Sequence, residues 1–215
     1  MGIKARHWDD AYSSRSFTGM SWFQAEPTLS LELTALLRVE ATAPVIDIGG
    51  GSSPLVDRLV AGGFGDVTVL DVSEAALRDA QARIGEAPGV TWLHKDVLEW
   101  RPARRYGLWH DRAVFHFLTD HADRDRYLEN LAEGILAGGA VIMATFAEDG
   151  PEYCSGLPVA RYSADDLAGV LGRDFEIVAT RRELHTTPSG VVQPFTWIAA
   201  TANSPRAAAE IGQLP

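Results

Sequence analysis

Apolar residues recur along this chain in short runs parted by turn residues, and the runs alternate between two periodicities. Val45-Ile46-Asp47-Ile48, Val67-Thr68-Val69-Leu70, Val90-Thr91-Trp92-Leu93, Tyr106 to His110 and Ala140 to Phe146 are β-branched or aromatic stretches of strand length. Between them the spacing turns helical: Leu55, Leu59 and Val60 after the first run, and Glu74 to about Ile84 behind the cap Ser73. After the fourth run a helix is predicted from His121 to about Ile135, with Tyr127, Leu128, Leu131 and Ile135 on one stripe. Its charged stretch Asp123-Arg124-Asp125-Arg126 reads as a solvated face. Leu136-Ala137-Gly138-Gly139 then reads as a turn. Strands alternating with helices predict an α/β domain built on a parallel sheet. Leucines at 29, 31, 33, 36 and 37 predict a helix over 28–40 that leads into the first strand. Near the end, Tyr162-Ser163 opens a helix to about Leu171. Phe175 to about Thr186 and Val191 to Thr201, joined by Pro188-Ser189-Gly190, then predict an antiparallel hairpin.

The junction after the first run carries chemistry. Asp47-Ile48-Gly49-Gly50-Gly51 ends a buried strand in an acid and a glycine turn, with Ser53 as N-cap and Pro54 as first helical residue. Glycines let the backbone pass close to a ligand, and the helix start behind them offers free N–H groups. A nucleotide-like ligand fits this turn. A dinucleotide fingerprint wants a small residue where Pro54 stands, and a P-loop wants a lysine that is absent. The second strand ends in Asp71, an acid placed to accept both ribose hydroxyls of a nucleoside.

Composition narrows the class. The 215 residues suit one domain: an N-terminal aromatic cap and lead-in helix over 1–40, the main domain over 41–202 and an alanine-rich tail over 203–215. A formal net charge of −10 argues against a nucleic-acid surface. The single cysteine, Cys154, leaves no internal disulfide and suits a reducing compartment. No signal peptide, membrane-length apolar run or metal-ligand cluster is visible. A cytoplasmic, soluble protein, monomer or homodimer, is expected.

The densest polar-aromatic cluster follows the fourth strand: His110-Asp111-Arg112-Ala113-Val114-Phe115-His116. The carboxyl edge of an open parallel sheet is where ligands bind. His110 and His116 are candidate general bases, equally readable as neutral rings bonded within the fold. Asp111 and Arg112 are candidates for the amino-acid end of a cofactor and for substrate orientation, Asp111 also for base work, and Phe115 for substrate binding. Trp8, Tyr12, Trp22 and Phe23 form either a packing cap or a lid. Tyr153 and Arg161, in the loop over 147–162 after the fifth strand, are expected to help set specificity, with Cys154 a wall residue rather than a nucleophile.

Taken in register, Asp47 with Gly49, Gly50 and Gly51, then Asp71, Asp96 and Asp111 resemble the class I S-adenosylmethionine (SAM)-dependent methyltransferases over about residues 40–201. Ser53 stands where that family usually has a third glycine. The resemblance implies a Rossmann-like α/β domain: a seven-stranded, mostly parallel sheet closed by a C-terminal antiparallel hairpin, with helices on both faces. It implies SAM as cofactor and S-adenosylhomocysteine (SAH) as product. The glycine turn would face the methionine part, Asp71 and Val72 the ribose, and Asp96 and Val97 the adenine, with Trp8 and Tyr12 closing over the sulfonium. Trp8-Asp9, Tyr12, Ser21-Trp22-Phe23-Gln24 and Asp111-Arg112-Ala113 are more narrowly similar to small thiopurine-type methyltransferases and to protein-lysine methyltransferases. Arg112 replaces the lysine and Ala113 the glycine of the latter. The implied reaction is in-line methyl transfer to a small-molecule acceptor. A protein lysine acceptor, or a non-catalytic SAM-fold binding protein, is the alternative.

Overall fold

The computed structural model describes residues 3–14 and 17–203; the expected tail beyond Asn203 lies outside the described residues. In chain order the elements are α1 (Ile3–Ser14), α2 (Thr28–Leu36), β1 (Val45–Ile48), α3 (Leu55–Ala61), β2 (Val67–Asp71), α4 (Glu74–Ile84), β3 (Val90–His94) and β4 (Tyr106–Arg112). They continue with α5 (His121–Gly134), β5 (Ile135–Phe146), β6 (Tyr153–Cys154), β7 (Leu157–Pro158), α6 (Ala164–Leu171), β8 (Phe175–Thr186) and β9 (Val192–Ala202).

Seven strands form one sheet in the order β3-β2-β1-β4-β5-β9-β8. The first five are parallel and the β9–β8 hairpin pairs antiparallel onto β5. The strand order reverses between β1 and β4, and such a switch point opens a crevice at the carboxyl ends of the strands. Each face of the sheet has its own core. Ile46, Ile48, Trp109, Tyr127, Leu131 and Leu167 pack on the side covered by α5 and α6. Val45, Leu33, Leu55, Val69, Leu77 and Leu108 pack on the side covered by α2, α3 and α4. Alternate residues of one strand serve opposite faces, and both faces are covered, which is why β1 and β4 are buried nearly throughout.

Caps hold the helices where the polar pattern suggested. The Ser73 hydroxyl accepts from the Ala76 N–H, and Ser163 forms a capping box with Asp166. Several boundaries differ from expectation. The second helix stops at Leu36, because Arg38 turns into the left-handed region at φ 53°. Pro54 precedes α3 rather than opening it, and the Ser53 hydroxyl instead accepts the Leu55 N–H at 3.2 Å. β5 begins at Ile135, so the anticipated turn over 136–139 is an irregular stretch of strand, with Gly138 at φ 72°. The 147–162 loop holds a miniature hairpin, β6–β7, turned by Ser155 and Gly156 at φ 50° and 77°.

Candidate functional site

The glycine turn leaves β1 at the switch point. Gly49 has φ 66°, and a Cβ placed there would lie 2.1 Å from Val114 Cγ2. Gly51 has φ 42°, and its Cβ would lie 2.8 Å from Asp71 Oδ2 and 3.0 Å from the Tyr12 hydroxyl. Both positions therefore exclude a side chain, and at Gly49 the backbone stays flush with the wall of a cavity.

That cavity, with its open mouth included, spans about 850 Å³. Gly49, Asp71, Val72, Asp96 and Val97 line one part; Arg112, Ala113, Phe117 and Cys154 line another. Trp8, Tyr12 and Trp22, from α1 and the segment after it, form the aromatic roof. Trp8 stands edge-on to Trp22 at 5.5 Å and to Phe117 at 5.1 Å. Asp9 ties α1 down, its carboxylate accepting the Ser73 hydroxyl at 2.7 Å and the Ala75 N–H at 3.3 Å.

Asp71 is buried at the end of β2, with one oxygen accepting the Ser73 N–H at 2.8 Å. Burial, with Asp47 and Asp9 adding to it, pushes its carboxyl up to about 7. No cation pairs with it among the described residues, so a ligand hydroxyl is a natural partner. Asp96 accepts the Leu98 N–H through Oδ1 at 2.9 Å, a turn-capping role it holds while lining the cavity. A smaller adjoining cavity is walled by Asp47, Gly49, Gly50, His110, Ser30 and Arg112.

The polar groups after β4 divide by strand parity. His110 sits opposite Asp47 in the β1–β4 register. Its Nδ1 lies 2.7 Å from Asp47 Oδ1 and its Nε2 2.9 Å from the Ser30 hydroxyl. A carboxylate only accepts, so Nδ1 donates, and in the neutral ring Nε2 accepts from Ser30. Both nitrogens are committed. Asp111 points to the other face. It accepts the Val114 and Phe115 N–H groups and the Tyr127 hydroxyl at 2.6 Å, and it lines neither cavity. Burial raises its carboxyl to about 6.

Several residues expected at the site lie elsewhere. Asp111 anchors the turn after β4 instead of meeting a cofactor, because Tyr127 of α5 claims its oxygen. His116 is fully buried between the Phe117 and Phe146 rings, its ring pKa lowered by burial to about 3, and it does not reach the cavity. Phe115 is a core residue packed on Tyr127 and Tyr162. Tyr153 is 62% exposed, while its neighbour Cys154 faces the cavity with its thiol raised to about 11 by burial. Arg161 binds the Gly150 carbonyl and Glu152, bracing its own loop. Phe23 lines a separate surface hollow beside His185. Ser30 and Phe117 were not singled out from the sequence, and Tyr127 was read only as part of the apolar stripe of its helix, since nothing in its local pattern marks the bond to Asp111.

Residues 45–139 match the family model of a methyltransferase domain. The chain is similar to a malonyl-[acyl-carrier protein] O-methyltransferase of Ilyobacter polytropus, 25% identical over 53% of this chain and 45% of the relative. It thus spans about half the length of that curated relative. By fold it is similar to a SAM-dependent methyltransferase of Anabaena variabilis, with a TM-score of 0.71 and 17% identity over 94% of this chain and 96% of the other. It is also similar to the 1,6-didemethyltoxoflavin-N1-methyltransferase of Burkholderia thailandensis, solved with its substrate and SAH: TM-score 0.68, 19% identity, over 94% and 84% of the two chains. Residues 45–139 thus carry a methyltransferase domain, and the fold around them is the one seen in SAM-dependent methyltransferases.

Proposed function

We propose that this protein transfers a methyl group from SAM to a small-molecule acceptor. The observation that carries this is the placement of Asp71, Asp96 and the Gly49 turn on one wall of an aromatic-roofed cavity. The chain's residues fit the cofactor. At Gly49 the bare backbone passes along the cavity wall, where a Cβ would collide with Val114, and Asp71 is a buried acceptor with no cation paired to it among the described residues. Asp71 would take the ribose hydroxyls, Asp96 and the Val97 backbone the adenine edge, and Gly49 with Gly50 the methionine part. SAM supplies an electrophilic methyl on a sulfonium. Trp8, Tyr12 and Trp22 exclude water and present aromatic faces that attract a cationic centre. Holding the acceptor in line accounts for much of the rate, since orientation alone can be worth ~7–11 kcal/mol.

The roofed, largely apolar cavity favours a small acceptor over a protein side chain. Residues 1–40 serve as the cap of the 41–202 domain. We also read the protein as a cytoplasmic monomer or homodimer that binds neither nucleic acid nor membrane. The net charge of −10 supports this, and no helix among the described residues is long and apolar enough to cross a membrane.

Calorimetric titration with SAH, with NAD as control, tests the cofactor. Micromolar binding of SAH alone is expected, and a folded protein that binds neither compound overturns the proposal. Product mass analysis with metabolite pools against protein lysates then separates a small-molecule acceptor from a protein one.

A further inference from the structure

Among the described residues Arg112 is the one cation that lines both the main and the adjoining cavity; Lys95, after β3, lines the main cavity alone. Its side chain is only 12% exposed. Nη1 donates to the Trp22 carbonyl at 3.0 Å, while Nε and Nη2 are buried with no hydrogen-bond partner. The nearest acid, Glu183, does not satisfy them. Its oxygens are taken by Gln24 at 2.6 Å and Trp197 at 2.9 Å, and it stays 4.0 Å from the guanidinium. The Phe195 ring, 4.8 Å below, holds the group flat. Guanidinium donors left open in a dry site are matched by a carboxylate-like or thiolate anion.

The position suits the acceptor. Arg112 ends β4, two strands from Asp71 on β2 and three from β3. At ~4.8 Å per strand that is roughly 10 and 14 Å, beyond the nucleoside region. Among the described residues, the same part of the cavity holds no free base. His110 has both nitrogens committed, His116 and Asp111 face away, and Cys154 and Tyr12 are held protonated by burial.

We infer that the acceptor is an anion whose charged group pairs with Arg112 and which needs no deprotonation by the enzyme. This rests on the proposed function. The acceptor's electron pair forms the bond to the methyl carbon, the carbon–sulfur pair stays on sulfur, and no proton has to leave. An anion and a sulfonium give two neutral products, so the desolvated site favours the transfer.

The test titrates SAH-saturated protein with 4-nitrobenzenethiolate and 4-nitrobenzoate, both ionised at pH 7.5, and with neutral 4-methylaniline and 4-methylphenol. At least one anion should bind ten times more tightly than the neutral compounds, and Arg112→Gln should abolish that preference while leaving SAH affinity within threefold. In a parallel incubation with SAM in place of SAH, methyl thioether or methyl ester in the product mass tells thiolate from carboxylate. Equal binding of neutral probes, or binding of neither anion, overturns the inference while SAH binding stands. Loss of SAH binding in Arg112→Gln also overturns it, by assigning Arg112 to the cofactor. Failure of the wild type to bind SAH sinks the proposed function itself.

Discussion

Asp71 concentrates the electrostatics of the site in one side chain. Its carboxyl sits near 7 in the free protein, against an ordinary value of about 3.9. The folded state therefore keeps a proton that the unfolded chain releases. The associated stability is complete below about pH 4 and is lost as pH rises through about 7. The melting temperature of the ligand-free protein should fall between pH 5 and 7.5, and Asp71→Asn should flatten that slope. The same variant should bind SAH about ten- to a hundredfold more weakly, since it loses charge-assisted acceptance of hydroxyls. A slope unchanged in Asp71→Asn would place the titrating group elsewhere. Ala113 bears a different strain, a non-glycine residue at φ 70° beside the cavity. A left-handed residue with a Cβ costs ~1–2 kcal/mol, partly offset by the entropy of a glycine. Ala113→Gly should therefore raise stability by up to about 1 kcal/mol in urea denaturation. A loss instead would mean that the methyl's packing outweighs the strain.

At the level of elements, the described attachments that hold α1 over the cavity include the Asp9 cap on α4 and the aromatic contacts of Trp8 and Tyr12. Cap interactions are worth about 1 kcal/mol, enough to shift a marginal lid without unfolding the domain. Asp9→Ala should speed amide hydrogen exchange over residues 3–14 several-fold, leave the β-sheet amides unchanged and accelerate SAH release. Equal exchange in both proteins would show that the aromatic contacts alone seat the helix. The fourth strand shows what the sequence left open. Alternation separates His110 and Arg112 from Trp109 and Asp111, so two faces were legible. Which face meets ligand depends on α5, whose Tyr127 bonds both Asp111 and the Trp109 indole. His110 and Asp111 were thus both read as site groups, although one is locked to Ser30 and the other to α5. Ser30 lies eighty positions before its partner.

For the molecule as a whole, the cavity joins the N-terminal segment, the ends of four parallel strands and the loop bearing Cys154. A ligand bridging them should stabilise the fold as a unit. SAH at a hundredfold over its Kd adds ~2.7 kcal/mol, or roughly 5–10 °C in melting temperature for a chain of this size. A thermal scan without that shift would mean that this cavity does not take the cofactor.

The sequence by itself determined the strand–helix alternation, the glycine turn, the acid ending β2 and the closing hairpin. Each is set by periodicity, caps and turns acting over a few residues. Tertiary structure alone decided that Asp111 and His116 are sealed in the core, that Tyr153 faces solvent, and that Arg112 keeps two open donors beside the cavity. Those outcomes depend on Tyr127, Trp22, Glu183 and Phe195, brought in from other elements. Whether a polar group at a strand end is consumed or left free is settled by such distant partners, and no local pattern records them.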